Sequence, residues 1–497
     1  EAARARYLLG RSLEAQGRGK EAARLFRELR LSAPGSGYDD AARDHLERLL
    51  RAGITLPPLT ASERLDRAER LLAAGMASAA RDEAEMLLAE GTNPETALRA
   101  LRVVAGAWRR LGRYDSAARS IERALAQAPV ERRPGLLLEL ARFQERAGSW
   151  KPALGTAERL LREVPAAREA PLALLLTARI FEENGKLGEA ATAYDRLAME
   201  FPGDEAAGAA LWRLGWLAYL RGDLPAAARR FGGLALLPAA QRYRLPAAYW
   251  AGRAREKLGE HEEARRLYLA VIKEAPRSYY GLLAAHRAKG VRIDPGNSAA
   301  APLPVDPLAP LAGDPRVARV AALRALGLAH FAATELEQLL QRSLDDLPRL
   351  YGVSAVYVKN EQYHLALRIL RRYFAELAES GSPAIPRAFW EMFYPIGWQG
   401  ELREAAQRAG LDPNLVAAVV REESSFFPLA RSRVGARGLM QLMPDTARAM
   451  GIGQDELLDH PEANLRMGTT FLAGLVKKFG DPRLAAAAYN AGAARVR

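Results

Sequence analysis

Two adjacent glutamates, Glu422 and Glu423, close an apolar helical segment that opens at Asp412-Pro413. A carboxyl group on an apolar helix face is desolvated. Its neutral form is favoured, its pKa rises, and it can keep a proton and act as a general acid. Asp412 is a residue type that caps free N–H groups at a helix start, and Pro413 suits the first helical position. Val416, Val419, Val420 and Glu423 fall at i, i+3, i+4 and i+7, so Glu423 shares an apolar stripe. Leu415, Ala418 and Val419 put Glu422 on a similar stripe, because the helix is apolar nearly all round. Spacing leaves both readings open: one glutamate is a sheltered acid, or both are solvated charges at a helix end.

The helix runs into Arg421-Glu-Glu-Ser-Ser-Phe-Phe-Pro-Leu-Ala-Arg-Ser-Arg-Val-Gly-Ala-Arg-Gly-Leu-Met-Gln-Leu-Met-Pro444. Ala488-Tyr489-Asn490-Ala491-Gly492 follows near the end of the chain. Together the two strings resemble the signature of the soluble lytic murein transglycosylase family. Its lysozyme-like domain, of glycoside hydrolase family 23 type, carries Glu-Ser, then Ser, then Gly-Ala-x-Gly-Leu-Met-Gln. The resemblance extends to the order of parts: a long helical superhelix, a linker domain and a C-terminal catalytic domain. Tyr279-Tyr280-Gly281 also resembles the family's passage from repeats to linker.

Carried over residue by residue, the resemblance implies Glu423, directly before Ser424, as the catalytic acid/base, and so breaks the tie. It implies Ser432, Gln441, Met443, Tyr489 and Asn490 as residues lining a saccharide cleft. Each also has a plainer reading. Ser432 suits a turn hydroxyl, Met443 suits a core, and Asp445 suits the start of the next helix. Gly435 and Gly438 permit tight backbone turns.

Ordinary glycosidases use two carboxylates, and the motif offers one. The family's chemistry needs only one. Glu423 would protonate the glycosidic oxygen between N-acetylmuramic acid and N-acetylglucosamine. The substrate's acetamido group would support the positive charge at the anomeric carbon. Ionised Glu423 would then take the proton of the muramoyl 6-hydroxyl, closing a 1,6-anhydro ring without cofactor or metal. Tyr489 would, as a hypothesis on that chemistry, hydrogen-bond Glu423 or the acetyl group and tune it. Two alternatives stand beside this: a muramidase hydrolysing the same bond, and a non-enzymatic repeat scaffold that binds glycan.

The elements that must carry this site are helical. Taking Gly17 as a turn, Ala22, Phe26, Leu29 and Pro34 follow at +5, +9, +12 and +17. Gly112, Gly148, Gly185, Gly222 and Gly259 repeat the pattern with small variations, Gly75 more weakly, and from Gly75 onward the spacing is 36 or 37 residues. Each unit reads as a helical hairpin. Gly makes the turn, a small Ala lets the helices approach, and Pro ends the second helix. One hairpin cannot bury its apolar stripe alone, so neighbours must stack. The repeat resembles the tetratricopeptide repeat, stretched by two or three residues. Gly75 lies 58 residues after Gly17, which predicts an extra helix at the start.

The fold class expected is therefore all-α. Residues 1–290 form a tetratricopeptide-like superhelix, 291–315 a Pro-rich extended linker, 316–400 a helical linker domain, and 401–497 a lysozyme-like domain. Phe389-Trp390 and Phe393-Tyr394 read as a packing joint or, alternatively, a sugar platform. The chain opens at Glu1 inside a helical pattern and stops soon after the Tyr-Asn motif. This reads as trimming at both ends, leaving the catalytic domain incomplete and any signal or lipid anchor out of view.

Composition agrees: 49% hydrophobic, 26% charged, no Cys. Disulfides and thiolate metal sites are excluded, and the six His are scattered without zinc-ligand spacing. The net charge of +13, mostly Arg, suits an anionic polymer or is simply spread over helix surfaces. No block of like charges supports nucleic-acid binding, and no apolar run approaches a membrane span. The resemblance implies peptidoglycan strands as partner, cell-wall synthesis or divisome proteins as further partners of the array, and the periplasm as location.

Overall fold

A computed structural model describes residues 2–288, 303–450 and 458–496. The chain divides into two compact units, Glu1–Leu267 and Tyr268–Arg497. Helices make up both, and among the described residues the only β-type pairings are the isolated bridges Arg431–Arg437 and Arg437–Leu442.

The first unit is a stack of helical hairpins. Pro94–Arg110 pairs with Tyr114–Gln127, Arg133–Arg146 with Trp150–Glu163, Ala170–Glu183 with Leu187–Glu200, and Glu205–Leu220 with Leu224–Ala235. The repeating offsets are the buried positions: Ala22, Ala117, Ala153, Ala190 and Ala227 are wholly buried, as are Phe26, Ile121, Ala157, Tyr194 and Phe231. Each fully buried Phe or Ile is worth about 2 kcal/mol. The repeat glycines at the turns have φ between +72° and +90°, the left-handed region that glycine enters without penalty. The predicted extra helix is Asp39–Arg51, which accounts for the long step from Gly17 to Gly75.

Two larger cores stand out among the described residues of the second unit, beside smaller clusters at Leu442 and Leu475. One gathers Leu311, Val320, Leu336, Tyr351, Phe374, Phe389 and Phe393. The other gathers Leu367, Leu402, Val416, Val420, Phe426, Leu439, Met440, Leu465 and Leu472. Residues 291–302 of the expected linker lie outside the described residues. The described rest of that Pro-rich stretch runs along the first core. Leu303 and Leu308 pack on the first core and Leu311 is buried in it, because apolar side chains spaced along the segment gain more from burial than from solvation. Phe389 and Phe393 are likewise core residues, while Tyr394 is exposed. The Arg421 guanidinium lies 5.2 Å over the Phe393 ring and 5.0 Å over Tyr394, so the aromatic cluster is a packing joint. Among the described residues no helix is long and apolar enough to cross a membrane.

Candidate active site

The helix Pro413–Glu423 begins as its sequence requires: the Asn414 N–H donates to the Asp412 carboxylate at 2.8 Å and Pro413 occupies the first turn. Val416 and Val420 are fully buried and anchor one face. The helix stops at Glu423 because Ser425 and Phe426 take left-handed backbone conformations, φ 52° and 63°. Such a conformation costs a non-glycine residue about 1 kcal/mol or more. Burial offsets it: Phe426 is 1% exposed, in ring contact with Tyr363. The Ser424 and Ser425 hydroxyls donate back to the Val420 and Arg421 carbonyls, which also accept the backbone N–H groups of the same two serines.

The two glutamates part company here. Glu422 points to solvent and is ion-paired, accepting from Arg371 at 2.7 Å and from Arg421 at 2.8 Å. Glu423 is half-buried, and among the described residues no hydrogen bond or ion pair reaches its carboxylate. Burial raises its pKa above the ordinary carboxylate value, and the neighbouring Glu422 charge raises it further. Local physics thus favours the protonated form of Glu423.

Tyr489, on the helix Pro482–Ala491, is the titratable neighbour of Glu423 from another element. Burial holds its phenol well above the usual value, and the Glu423 charge adds to the shift. Its hydroxyl does not bond Glu423, as one sequence expectation had it. It donates to the Met440 carbonyl at 2.7 Å, because that buried backbone acceptor lies within reach.

The segment between these helices folds into tight turns. The Ser432 hydroxyl accepts from the Ala436 N–H at 2.9 Å, serving as a turn hydroxyl. Gln441, at φ 47°, sends its amide N–H groups to the Ala430 and Gly438 carbonyls. Met443 lies at the surface at the start of the helix Pro444–Ala449, and Asn490 is exposed. No hydrogen bond among the described residues joins Ser432, Gln441, Met443 or Asn490 to Glu423.

Two organising residues escape a motif reading. Asn464 is fully buried on the helix Pro461–Phe479. Its carbonyl oxygen accepts from the Met440 N–H at 2.8 Å, and its amide donates to the Arg437 and Leu458 carbonyls. Asp459 pairs with both Arg437 and Arg431, and the Arg437 hydrogen bond holds its carboxyl below the ordinary range. The available signal was a polar residue four positions from a glycine on an otherwise apolar helix face: a Cβ on Gly468 would collide with the Met440 side chain.

Residues 401–497 match the family described as the transglycosylase SLT domain. The C-terminal part of the chain is an SLT domain. Tetratricopeptide repeats match at residues 1–37, through 105–236 in overlapping units, and at 247–278. The soluble lytic murein transglycosylases of Salmonella typhimurium and Escherichia coli are each 28% identical over 279 residues, covering 53% of this chain and 39% of theirs. The chain thus matches about two fifths of the length of these relatives. The transglycosylase of Enterobacteria phage PRD1 is 40% identical over 97 residues, 20% of this chain and 36% of that protein. The crystal structure of the 70-kDa soluble lytic transglycosylase of Escherichia coli aligns over 99% of this chain and 84% of its own, at 19% identity and TM-score 0.56. The 70-kDa soluble lytic transglycosylase in complex with bulgecin A aligns over the same shares, with TM-score 0.59. In fold and domain order the chain is similar to the soluble lytic transglycosylases, an all-α repeat array followed by a region that matches the SLT domain. Within that domain Glu423 opens the Glu-Ser pair and Tyr489 the Tyr-Asn pair.

Proposed function

We propose that the protein is a periplasmic lytic transglycosylase of peptidoglycan, with Glu423 as its single acid/base. The observation that carries this is the contrast between the adjacent glutamates. Glu422 is occupied by two arginines, and Glu423 is sheltered, has no hydrogen bond or ion pair among the described residues, and is biased towards its protonated form. A hydrolase of the two-carboxylate kind needs a second carboxylate free to act on water or on the sugar. The neighbour here is engaged elsewhere, which supports a one-carboxylate reaction.

The steps follow. Protonated Glu423 gives its proton to the oxygen linking N-acetylmuramic acid to N-acetylglucosamine, and the C1–O bond breaks. The acetamido oxygen of the muramoyl residue holds the positive charge at C1. The Glu423 carboxylate takes the proton from the 6-hydroxyl, whose oxygen bonds C1 and forms the 1,6-anhydro product. Glu423 ends protonated, ready for the next cycle. Tyr489, tied to Met440, acts as a fixed wall beside the acid. The repeat array, with its excess of arginine, positions the glycan strand and offers a surface for cell-wall synthesis proteins.

Mass spectrometry of the muropeptides released from purified sacculi tests the reading. Anhydro ends are expected from the wild type and none from Glu423→Gln. Reducing ends in place of anhydro ends would make the protein a muramidase.

A further inference from the structure

The last turn of the Pro413–Glu423 helix is held from outside the SLT domain. Arg371 belongs to the helix Tyr363–Tyr373, thirty residues before the matched domain begins at 401. One of its terminal N–H groups donates to the Glu422 carboxylate at 2.7 Å and to the Arg421 carbonyl at 3.3 Å. That carbonyl also accepts from the Ser425 N–H at 3.2 Å, so Arg371 adds an outside donor to the last turn of the helix. Arg421 in turn reaches back to the same linker core. Its guanidinium donates twice to the Phe393 carbonyl, at 3.2 Å each, while stacking on Phe393 and Tyr394. The result is a closed clamp in which Glu422 sits between two guanidiniums.

We propose that Arg371 is a positioning residue for Glu423: it fixes the last turn of the acid's helix and holds the Glu422 carboxylate turned away from the acid. The proposal rests on the reading of Glu423 as the acid. An exposed ion pair contributes little to global stability. Arg371 and Glu422 are 36% and 66% exposed, so a purely stabilising role would be a weak one. Their value lies in where the charges stand.

The neighbouring charge that acts on the Glu423 carboxyl is that of Glu422, and the helices packed with its own bring further charged and titratable groups. Its own helix brings Glu422 and Arg421. The Tyr363–Tyr373 helix brings Arg371, with Arg368 and His364, whose ring stacks on Phe427 at 4.2 Å. The Pro482–Ala491 helix brings Tyr489. Gln399–Arg408 carries Glu401, Arg403 and the Arg408–Glu404 pair, and Pro461–Phe479 carries Glu462, Arg466, Lys477 and Lys478, none of which is bonded to Glu423 among the described residues. Of these, Glu422 is the anion nearest in sequence, and Arg371 is the cation from another element that balances it. Removing the cation strengthens the negative field at Glu423, and removing the anion weakens it. The two changes act in opposite directions.

The test follows the Glu423 side-chain carboxyl by 13C NMR in glutamate-labelled full chain, with its signal identified by its loss in Glu423→Gln. In Arg371→Ala the titration midpoint of Glu423 moves up, and in Glu422→Gln it moves down. Arg371→Lys restores the charge and brings the midpoint back towards wild type. Turnover of soluble glycan strands by Arg371→Ala falls about tenfold with KM nearly unchanged, because the acid is misplaced while substrate contacts remain. The thermal unfolding profile stays close to wild type. A midpoint unmoved in Arg371→Ala, or moved the same way in both charge variants, overturns the proposal. If wild-type protein makes no anhydro product while the midpoints still move apart, the transglycosylase reading fails and the clamp stands.

Discussion

The Tyr489 hydroxyl donates to the Met440 carbonyl at 2.7 Å, tying the Tyr-Asn helix to the Gly-Leu-Met-Gln turn. The two motifs lie 49 residues apart in sequence, and this bond is what makes them one structure. Tyr489→Phe removes the donor and leaves a buried acceptor without a partner. The expected cost is about 1–2 kcal/mol, read as faster amide hydrogen exchange in residues 437–442. The phenol does not hold the Glu423 proton, so activity should fall less than in Glu423→Gln. Complete loss of turnover in a folded Tyr489→Phe protein would assign the hydroxyl a direct chemical role.

The raised pKa of Glu423 carries a stability cost with a defined sign. The folded carboxyl binds its proton more tightly than the unfolded one. Its contribution is therefore intact below the unfolded value, and is lost as pH rises from there through the raised folded value. Glu423→Gln cannot ionise and escapes that loss. The variant should be inactive and yet resist urea better than wild type at about pH 7, with the two converging near pH 4, around the ordinary carboxylate value. A variant no more resistant at neutral pH would show that the acid is not desolvated in solution.

Asn464 satisfies three backbone groups from one buried side chain. Asn464→Leu keeps the branched shape but strands the Met440 N–H and the Leu458 carbonyl, and leaves the Arg437 carbonyl with the Leu442 N–H alone. A buried network left half-made costs more than its separate bonds, so a loss of about 3–5 kcal/mol is expected. Proteolysis should then cut first around residues 430–442, ahead of the repeat array. Protection unchanged in that segment would mean water replaces the amide.

The repeat array was legible because hairpin geometry fixes many offsets at once: a left-handed glycine, a small residue and an aromatic or branched one all land on the same packing position. The start of the acid's helix was legible for a similar reason, since Asp412 and Pro413 each have one obvious local role. The choice between Glu422 and Glu423 was not. An all-round apolar helix has no preferred face, and what separates the two is Arg371, 51 residues away in sequence. Only the family motif could choose between them before the fold was known. Ser432, Gln441, Met443 and Asn490 were motif positions, and the structure gives the first two turn-forming bonds and the last two surface positions. Asn464 had no motif at all, because its role is to answer backbone groups whose need arises only once the turn is folded. In the Pro-rich stretch, proline count says where regular structure stops, not where Leu303, Leu308 and Leu311 find a core.

Gly215 tests the packing logic of the array itself. It lies on the helix Glu205–Leu220, seven residues before the turn glycine Gly222, and its α-carbon faces the fully buried Phe231 ring. A Cβ there would overlap three atoms of that ring. Its backbone is helical, so conformational strain plays no part, and Ala is the better helix former by about 1 kcal/mol. Helix propensity and packing thus predict opposite signs for Gly215→Ala. Overpacking a tight core costs about 1–3 kcal/mol, which outweighs the propensity gain when Phe231 cannot move. Phe231 is hemmed in by Trp212 and Trp216, with ring centroids at 5.3 and 6.0 Å, so net destabilisation is expected. Pairing the change with Phe231→Leu should recover stability by making room for the methyl group. A double variant no more stable than Gly215→Ala alone would mean the ring is not the obstacle.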